Sequence, residues 1–164
     1  MQIRIRATGQ VLLEHEWIKW VATTYAKSIS AMTADIYDRF DSDAVFEGPQ
    51  ATGGTVYQYS QRDGVEQQSD GKWYTKYILG PVFTDGETTA VEQEAAYKAQ
   101  KDTEQAKSVR ASRDALLAEC DWVAIKAFET GTPVSAELAT YRQALRDITT
   151  QAGFPWTVEW PVQP

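Results

Sequence analysis

Hydrophobic and polar positions alternate at the start of the chain and then change period. Ile3 and Ile5 are separated by arginines, a period of two that predicts a β-strand ending at a Thr8-Gly9 turn. From Glu14 to Tyr25 the apolar residues recur at helical spacing, which predicts a short helix. The N-terminal part therefore begins as a strand followed by a helix.

After the first helix the sequence contains an irregular segment and then a β-rich segment. Residues 26–54 are rich in Asp and turn residues, which predicts irregular chain with a brief strand at Val45-Phe46. Residues 56–79 are rich in β-formers and contain two Asp-Gly dipeptides, which readily form tight hairpins. We therefore predict an antiparallel meander of at least three strands. In its last strand, one face would carry Trp73, Thr75 and Tyr77, and the other Tyr74, Lys76 and Ile78.

Composition shifts sharply near Gly86. From Glu87 to Glu119 there is no Gly or Pro, and the abundance of Ala, Glu, Gln and Lys predicts a long helix. Its first half has a weak stripe made mostly of alanines, which fits a solvated spacer or a surface that a partner approaches closely. Its second half has a firmer apolar stripe formed by Val109, Leu116, Leu117 and Cys120.

A second C-terminal helix follows a Gly/Pro break. Ser135 is the predicted N-cap, the helix spans Ala136 to Gln151, and Gly153 is the predicted C-terminal cap. An extended segment with Trp156 and Trp160 ends the chain. The predicted fold is α+β: an antiparallel β module at 1–85, then a long helix and a helical hairpin with an aromatic tail at 86–164.

Composition and charge narrow the classes of function. Hydrophobic residues make up 43% and charged residues 24% of the 164 residues, which are ordinary globular values. The net charge of −7 disfavours binding to nucleic acid and to anionic membranes, and no apolar run reaches the roughly 20 residues of a membrane span. A single cysteine excludes an internal disulfide and indicates a reducing cytoplasm.

The residues that could carry chemistry are few. His15 is the one histidine and has no nucleophile motif beside it, and Cys120 lies on an apolar helix face. The carboxylates between Asp35 and Asp43 lack the pattern of a calcium loop, so a solvated acidic loop is the simpler interpretation. We therefore predict no catalytic residues, no metal and no cofactor.

Aromatic residues are the candidate partner-binding groups. They form a patch on the first helix and a second patch on the predicted hairpin: Trp17, Trp20, Trp73, Tyr74 and Tyr77. Such rings could grip a protein partner or stack on sugars, and the alternative is ordinary packing within the module.

Residues 108–164 contain an ordered series of Arg, Asp, Leu and aromatic residues. The series comprises Arg110, Arg113, Asp114, Leu116, Leu117, Asp121, Trp122, Tyr141, Arg142, Leu145, Arg146, Asp147, Phe154, Pro155, Trp160 and Pro161. It resembles the C-terminal signature of phage tail-fibre assembly chaperones, although Leu138 stands where that family usually has Trp. The N-terminal stretches IRATGQV, DAVFEGP and RDGVEQQSDGKWYTKYILGPVFTD resemble small β-rich modules found beside this signature in phages of cyanobacteria.

The signature itself is expected to be mainly structural. Arg113 and Arg146 would pair with Asp114, Asp121 or Asp147 and pin two helices together, a contribution of about 0–1 kcal/mol per surface pair. The hairpin core is expected to contain five large side chains: Trp122, Tyr141, Leu145, Trp156 and Trp160.

The resemblance implies a non-enzymatic protein that binds the C-terminal end of a trimeric tail fibre and assists its folding. It would act in the host cytoplasm, and its retention at the fibre tip is left open. The alternative is a structural tail or baseplate component of the virion with a host-glycan-binding role. A glycan-cleaving enzyme would need two essential carboxylates, and the sequence selects no such pair.

Overall fold

The structure is a computed structural model that describes residues 1–164. The chain divides into two compact units, Met1–Val82 and Phe83–Pro164. All strands lie in the first unit and the longest helix in the second, so the α+β class is confirmed.

The first unit is built on one five-stranded sheet in the order β2-β1-β3-β5-β4. The strands are β1 Gln2–Ile5, β2 Val11–Leu13, β3 Ser42–Phe46, β4 Tyr59–Gln67 and β5 Trp73–Gly80. Strands β3 and β5 pair in parallel, whereas the other neighbours are antiparallel. The sheet is therefore mixed, because the chain crosses from β3 over to β4 before it returns beside β3.

Two helices cover the β1–β3 part of this sheet: α1 Glu14–Tyr25 and α2 Ala34–Arg39. The predicted bounds of α1 are confirmed, and the Glu16 carboxylate accepts a hydrogen bond of 2.8 Å from the Leu13 backbone N–H at its start. The core is a cluster of six buried side chains: Ile3, Ile5, Trp17, Val21, Tyr37 and Phe40.

The Asp-rich segment was wrongly predicted to be a solvated loop. It forms α2 and leads into β3, and it buries Tyr37 and Phe40 against Trp17 with ring centroids 5.6 and 6.0 Å apart. The aspartates lie on the outer side, where Asp38 and Asp43 each accept a hydrogen bond of 2.8 Å from Arg6. Burial of two aromatic rings outweighs the local preference for a turn.

The predicted three-stranded meander is a two-stranded hairpin. The first Asp-Gly dipeptide, Asp63-Gly64, is a bulge within β4, where the pairing register shifts between Arg62 and Val65. Gly64 has a φ of 83°, a conformation that glycine adopts without strain. The second dipeptide lies in the connection between the strands, as predicted.

The second unit is helical: α3 Ala90–Glu119, α4 Asp121–Thr130 and α5 Ala136–Asp147, with a 3-10 turn at Ile148–Thr150. Helix α3 begins three residues later than predicted, because Thr89 and Glu92 form a reciprocal capping box. Ser135 caps α5 as predicted, accepting a hydrogen bond of 3.2 Å from the Leu138 N–H. None of the helices combines the length and the apolar character that crossing a membrane requires.

The core of the second unit lies where α3 meets α5. Its buried members are Val109, Cys120, Tyr141, Leu145 and Ile148, and its half-buried members are Leu116, Leu117, Leu138, Phe154 and Val158. The firm apolar stripe predicted for α3 is thus confirmed. Trp122 and Trp160, predicted to be in this core, are instead 61% and 39% exposed.

The C-terminal tail is held by side chains of the same unit. The amide of Gln151 donates to the Glu159 carbonyl at 2.9 Å and accepts from the Glu159 N–H at 2.8 Å. The Trp156 indole donates to Asp102 of α3 at 2.5 Å. Gly153 is not the predicted C-terminal cap, because α5 ends at Asp147 and the 3-10 turn ends at Thr150. A Cβ at Gly153 would collide with the Thr157 carbonyl oxygen, so the chain passes too close for a larger residue.

Candidate functional site

Arg142 joins the two sides of the break between α3 and α4. Its Nη1 donates to the Leu117 carbonyl at 3.2 Å and to the Cys120 sulfur at 2.8 Å, and its Nη2 donates to Asp121 Oδ1 at 2.7 Å. The hydrogen bond to Asp121 is the main cause that raises the pKa of Arg142 above its ordinary value. One side chain of α5 therefore holds both the last turn of α3 and the first residue of α4.

Among the other charged signature residues, Arg113 forms one of the predicted pairs, but this pair lies within a single helix. Arg113 pairs at 2.7 Å with its neighbour Asp114 on the same helix, so it does not pin α3 to α5. Asp147 accepts from Gln143 within α5, and Arg146 lies on the exposed side of that helix. The predicted cross-helix role of Arg113 and Arg146 is thus wrong, because the Arg113 pair lies within α3 and Arg146 lies on the exposed side of α5.

Several signature residues pack inside the unit. Tyr141 and Leu145 are buried, and burial is the main cause that raises the pKa of the Tyr141 hydroxyl. The Arg110 guanidinium lies 5.4 Å from the centre of the Phe154 ring, a cation–π contact between α3 and the tail. Leu116, Pro155 and Pro161 are half-buried. These residues therefore contribute to the packing of the second unit.

Trp122 differs from these residues because its ring is mostly in solvent. It follows Cys120, whose φ of −108° and ψ of 4° end α3 and redirect the chain into α4. No residue of α4 is buried, and Trp122, Ile125 and Phe128 are 61%, 58% and 91% exposed. Their spacing of three places them along one helix as an exposed apolar row. None of these three residues was among the predicted partner-binding groups, although their spacing is visible in the sequence.

A groove runs beside Trp122, between α4 and the start of α5. Its floor is apolar and includes Val123, Ala127, Val134 and Leu138. At one end Trp122 lines the groove together with the carboxylate-bearing Glu119 and Glu137. Trp122 belongs to both features, whereas Ile125 and Phe128 lie toward the opposite side of α4 from Val123 and Ala127, because successive residues of an α-helix turn by about 100°. We call the groove together with Trp122 the α4 surface.

The second candidate region is the set of aromatic residues on the two faces of β5, in the first unit. The Arg4 guanidinium stacks 3.9 Å above the Trp73 ring, and the Tyr77 hydroxyl donates to Glu47 at 2.5 Å. Tyr74 packs on Phe46 with centroids 5.7 Å apart and donates to Asp70 at 2.9 Å, a bond that raises the pKa of Tyr74. All three predicted hairpin aromatics are half-buried, and each is already engaged by a neighbour.

The helix α1 patch is not the surface that the sequence predicted. Trp17 is 0% exposed, and its indole N–H donates to Ser42 at 2.9 Å, so this side chain forms core rather than binding surface. Trp20 is half-buried and meets Tyr25 edge-on at 5.5 Å. The physical reason is that the amphipathic face containing Trp17 and Val21 is the face that covers the sheet.

The groups that could carry catalysis are scattered. His15 is exposed, Cys120 is buried, and no group of three or more His, Cys, Asp or Glu side chains is placed to hold a metal ion. Every buried side-chain nitrogen or oxygen has a hydrogen-bond partner. The surfaces above are suited to binding another molecule through apolar and aromatic contact.

Part of the second unit matches a known protein family. Residues 106–164 match the model of a family described as phage tail assembly chaperone protein. No curated protein and no solved structure gives a significant match to the chain. The family match supports the resemblance found in the sequence and a role in phage tail assembly. The cyanobacterial host and the fibre stay predictions.

Proposed function

We propose that this chain is a non-enzymatic chaperone of tail-fibre assembly. It binds the C-terminal end of a trimeric phage tail fibre and assists folding and trimerisation in the host cytoplasm. The observation that carries the proposal is the family match over residues 106–164, which begins in α3 and includes α4, α5 and the tail.

The geometry of the matched region supports binding rather than chemistry. Arg142, Tyr141 and Leu145 are engaged in holding helices together, whereas the aromatic and aliphatic side chains of α4 face solvent. Exposed apolar surface is what a chaperone uses to cover the apolar surface of an incomplete partner. Unpaired strand edges and apolar faces make a fibre aggregation-prone until its three chains have registered.

The first unit is proposed as a second contact with the fibre or the virion. Trp73, Tyr74 and Tyr77 present half-buried rings on β5, and Trp20 presents part of its ring on α1. These are the partner-binding residues that the sequence suggested and that remain accessible. Aromatic side chains supply large contact area at small entropic cost.

The test is co-expression with the C-terminal part of the fibre encoded next to this chain, followed by co-purification and sizing. Newly soluble trimeric fibre is the expected result. If it carries this chain, the chaperone stays bound at the tip; if it does not, the chaperone is transient. Fibre that is soluble and trimeric when expressed alone would contradict the proposal.

The alternative function is a structural tail or baseplate component that touches host glycans. The Phe46–Tyr74 pair favours it, because Phe46 is 44% exposed and aromatic faces can stack on sugar rings. Proteomics of purified particles and a glycan array would test it. Presence in the virion with glycan binding that Phe46→Ala abolishes would favour this function over the chaperone.

A further inference from the structure

We propose that the α4 surface binds an apolar segment of another protein that carries a Lys or Arg beside its apolar residues. The basic side chain would lie at the Trp122 end of the groove, and the apolar side chains would lie along its floor. The inference rests on the proposed function in one respect only, namely that the other protein is an unassembled tail protein.

The α4 surface presents apolar side chains to solvent. Trp122, at the edge of the groove, is 61% exposed on a helix that buries none of its residues. The adjoining groove encloses about 370 Å³ over Val123, Ala127, Val134 and Leu138. A large aromatic side chain next to an apolar groove is the usual composition of an energetic centre in a protein interface.

The rim of the α4 surface carries acidic side chains. Glu119 and Glu137 line the groove at the Trp122 end. Residues 119–137 hold four carboxylates and one ammonium group, that of Lys126. Asp121 is already bound to Arg142, which leaves the exposed Glu119 and Glu137 to meet a partner's cation. Charge complementarity across an interface selects a basic partner and speeds its association.

The Trp122 ring adds a second attraction for a cation. Lys126 already places its ammonium 5.8 Å from the ring centre, so the ring lies within cation–π range of a positive group. A partner Arg could stack on the other side of this ring while it binds Glu119 or Glu137. The two features therefore favour the same type of residue at the same place.

A second copy of this chain fits the surface poorly. In a two-fold symmetric dimer the same patch meets itself, so Glu119 and Glu137 would face their own copies. Like charges placed opposite each other disfavour such a contact. The acidic rim likewise disfavours anionic lipid and nucleic acid.

The experiment measures binding of the full chain to fluorescein-labelled short peptides. The probe peptide has an apolar centre of Leu and Ile flanked by Arg. One matched peptide has Glu in place of Arg, and another has Ser in place of Leu and Ile. We expect the Arg-flanked peptide to bind best, and Trp122→Ala to weaken it by about tenfold or more.

Charge reversal gives the sharper readout. The double variant Glu119→Lys/Glu137→Lys is expected to prefer the Glu-flanked peptide. The control, Glu87→Lys/Glu159→Lys, makes the same change in net charge outside the groove and should keep the original preference. Tyr59→Ala, which removes an exposed aromatic side chain of the other unit, is the aromatic control. Circular dichroism and thermal unfolding establish that each variant is folded.

Three results would overturn the proposal. They are equal binding of all three peptides, undiminished binding by folded Trp122→Ala, and a concentration-dependent dimer that Trp122→Ala abolishes.

Fibre co-expression distinguishes a failure of this proposed site from a failure of the proposed function. If the wild-type chain and the α4 variants rescue the fibre equally well, the chaperone function is supported and the proposed binding site on α4 is contradicted. Peptide binding as expected without fibre rescue would leave the site and count against the fibre role.

Discussion

Arg142 on α5 and Asp121 at the start of α4 form an ion pair of 2.7 Å between Nη2 and Oδ1. The same guanidinium also donates to the Leu117 carbonyl in the last turn of α3. The α3–α4 break is thus held by a residue more than twenty positions further along the chain. Its side chain is 13% exposed, whereas that of Asp121 is 55% exposed.

Arg142→Ala is expected to destabilise the second unit by about 1–3 kcal/mol, because it removes hydrogen bonds from a charged donor to a half-buried site. The exposed part of the ion pair with Asp121 contributes little of this. Arg146→Ala is the matched control on the same helix and should change stability by less than about 0.5 kcal/mol. Urea unfolding measures both, and equal effects of the two substitutions would contradict the bridging role.

The Trp17–Ser42 hydrogen bond gives a prediction for the first unit. Ser42→Ala leaves the buried indole N–H without an acceptor, so we expect a loss of about 1–3 kcal/mol. Ser30→Ala, at an exposed position, should be close to neutral. Chemical denaturation followed by tryptophan fluorescence is the measurement. A neutral Ser42→Ala would show that the indole finds another partner.

Gly48 lies where the chain passes close over β5. Its N–H donates to Thr75 Oγ1 at 2.8 Å, and an added Cβ would collide with the Thr75 carbonyl oxygen. Gly48→Ala should therefore cost about 1–3 kcal/mol through overpacking. Gly86→Ala meets open space and should be neutral or stabilise by up to about 1 kcal/mol. Thermal unfolding compares them, and similar melting temperatures would contradict the close approach.

The α3 capping box makes stability depend on pH. The Glu92 carboxylate accepts hydrogen bonds from the Thr89 backbone N–H at 2.9 Å and from its hydroxyl at 2.8 Å, and the backbone bond is the main cause that lowers the pKa of Glu92. Because the folded pKa is below the unfolded one, this stabilisation is complete above about pH 4.3 and is lost as pH falls through the folded value.

Thr89→Ala should destabilise the chain by about 1 kcal/mol near neutral pH, since it removes the cap of α3. Glu92→Gln keeps a capping side chain without a titrating group, so its stability should vary less between neutral and acid pH than that of the wild type. Melting temperatures across this range provide the measurement. Parallel pH profiles for the wild type and Glu92→Gln would argue against the role of the carboxylate.

Local patterns predicted the elements whose signals are local. The bounds of α1 follow from helical spacing between Glu14 and Tyr25, and the start of α5 follows from the Ser135 cap. The burial of Ile3 and Ile5 follows from their alternation with arginines. In each case the neighbours that decide the structure lie within a few positions along the chain.

Features that depend on distant partners were predicted less well. Helix α2 forms because Tyr37 and Phe40 pack on Trp17, which is some twenty residues earlier in the chain. An Asp-Gly dipeptide is compatible with both a turn and a bulge. Asp63-Gly64 forms a bulge because the residues on both sides of it pair with β5. Arg113 and Arg146 have the same residue type as Arg142, but only Arg142 faces the break between α3 and α4.

By itself the sequence determined the α+β class, the long helix, the acidic character of the protein and the signature that resembles assembly chaperones. The tertiary structure decided which aromatic residues are core and which are surface, placing Trp17 inside and Trp122 outside. The physical reason is that helical spacing shows which residues share a face. Whether that face is covered depends on chain brought back from far along the sequence, and nothing within this chain covers Trp122 as β3 and α2 cover Trp17.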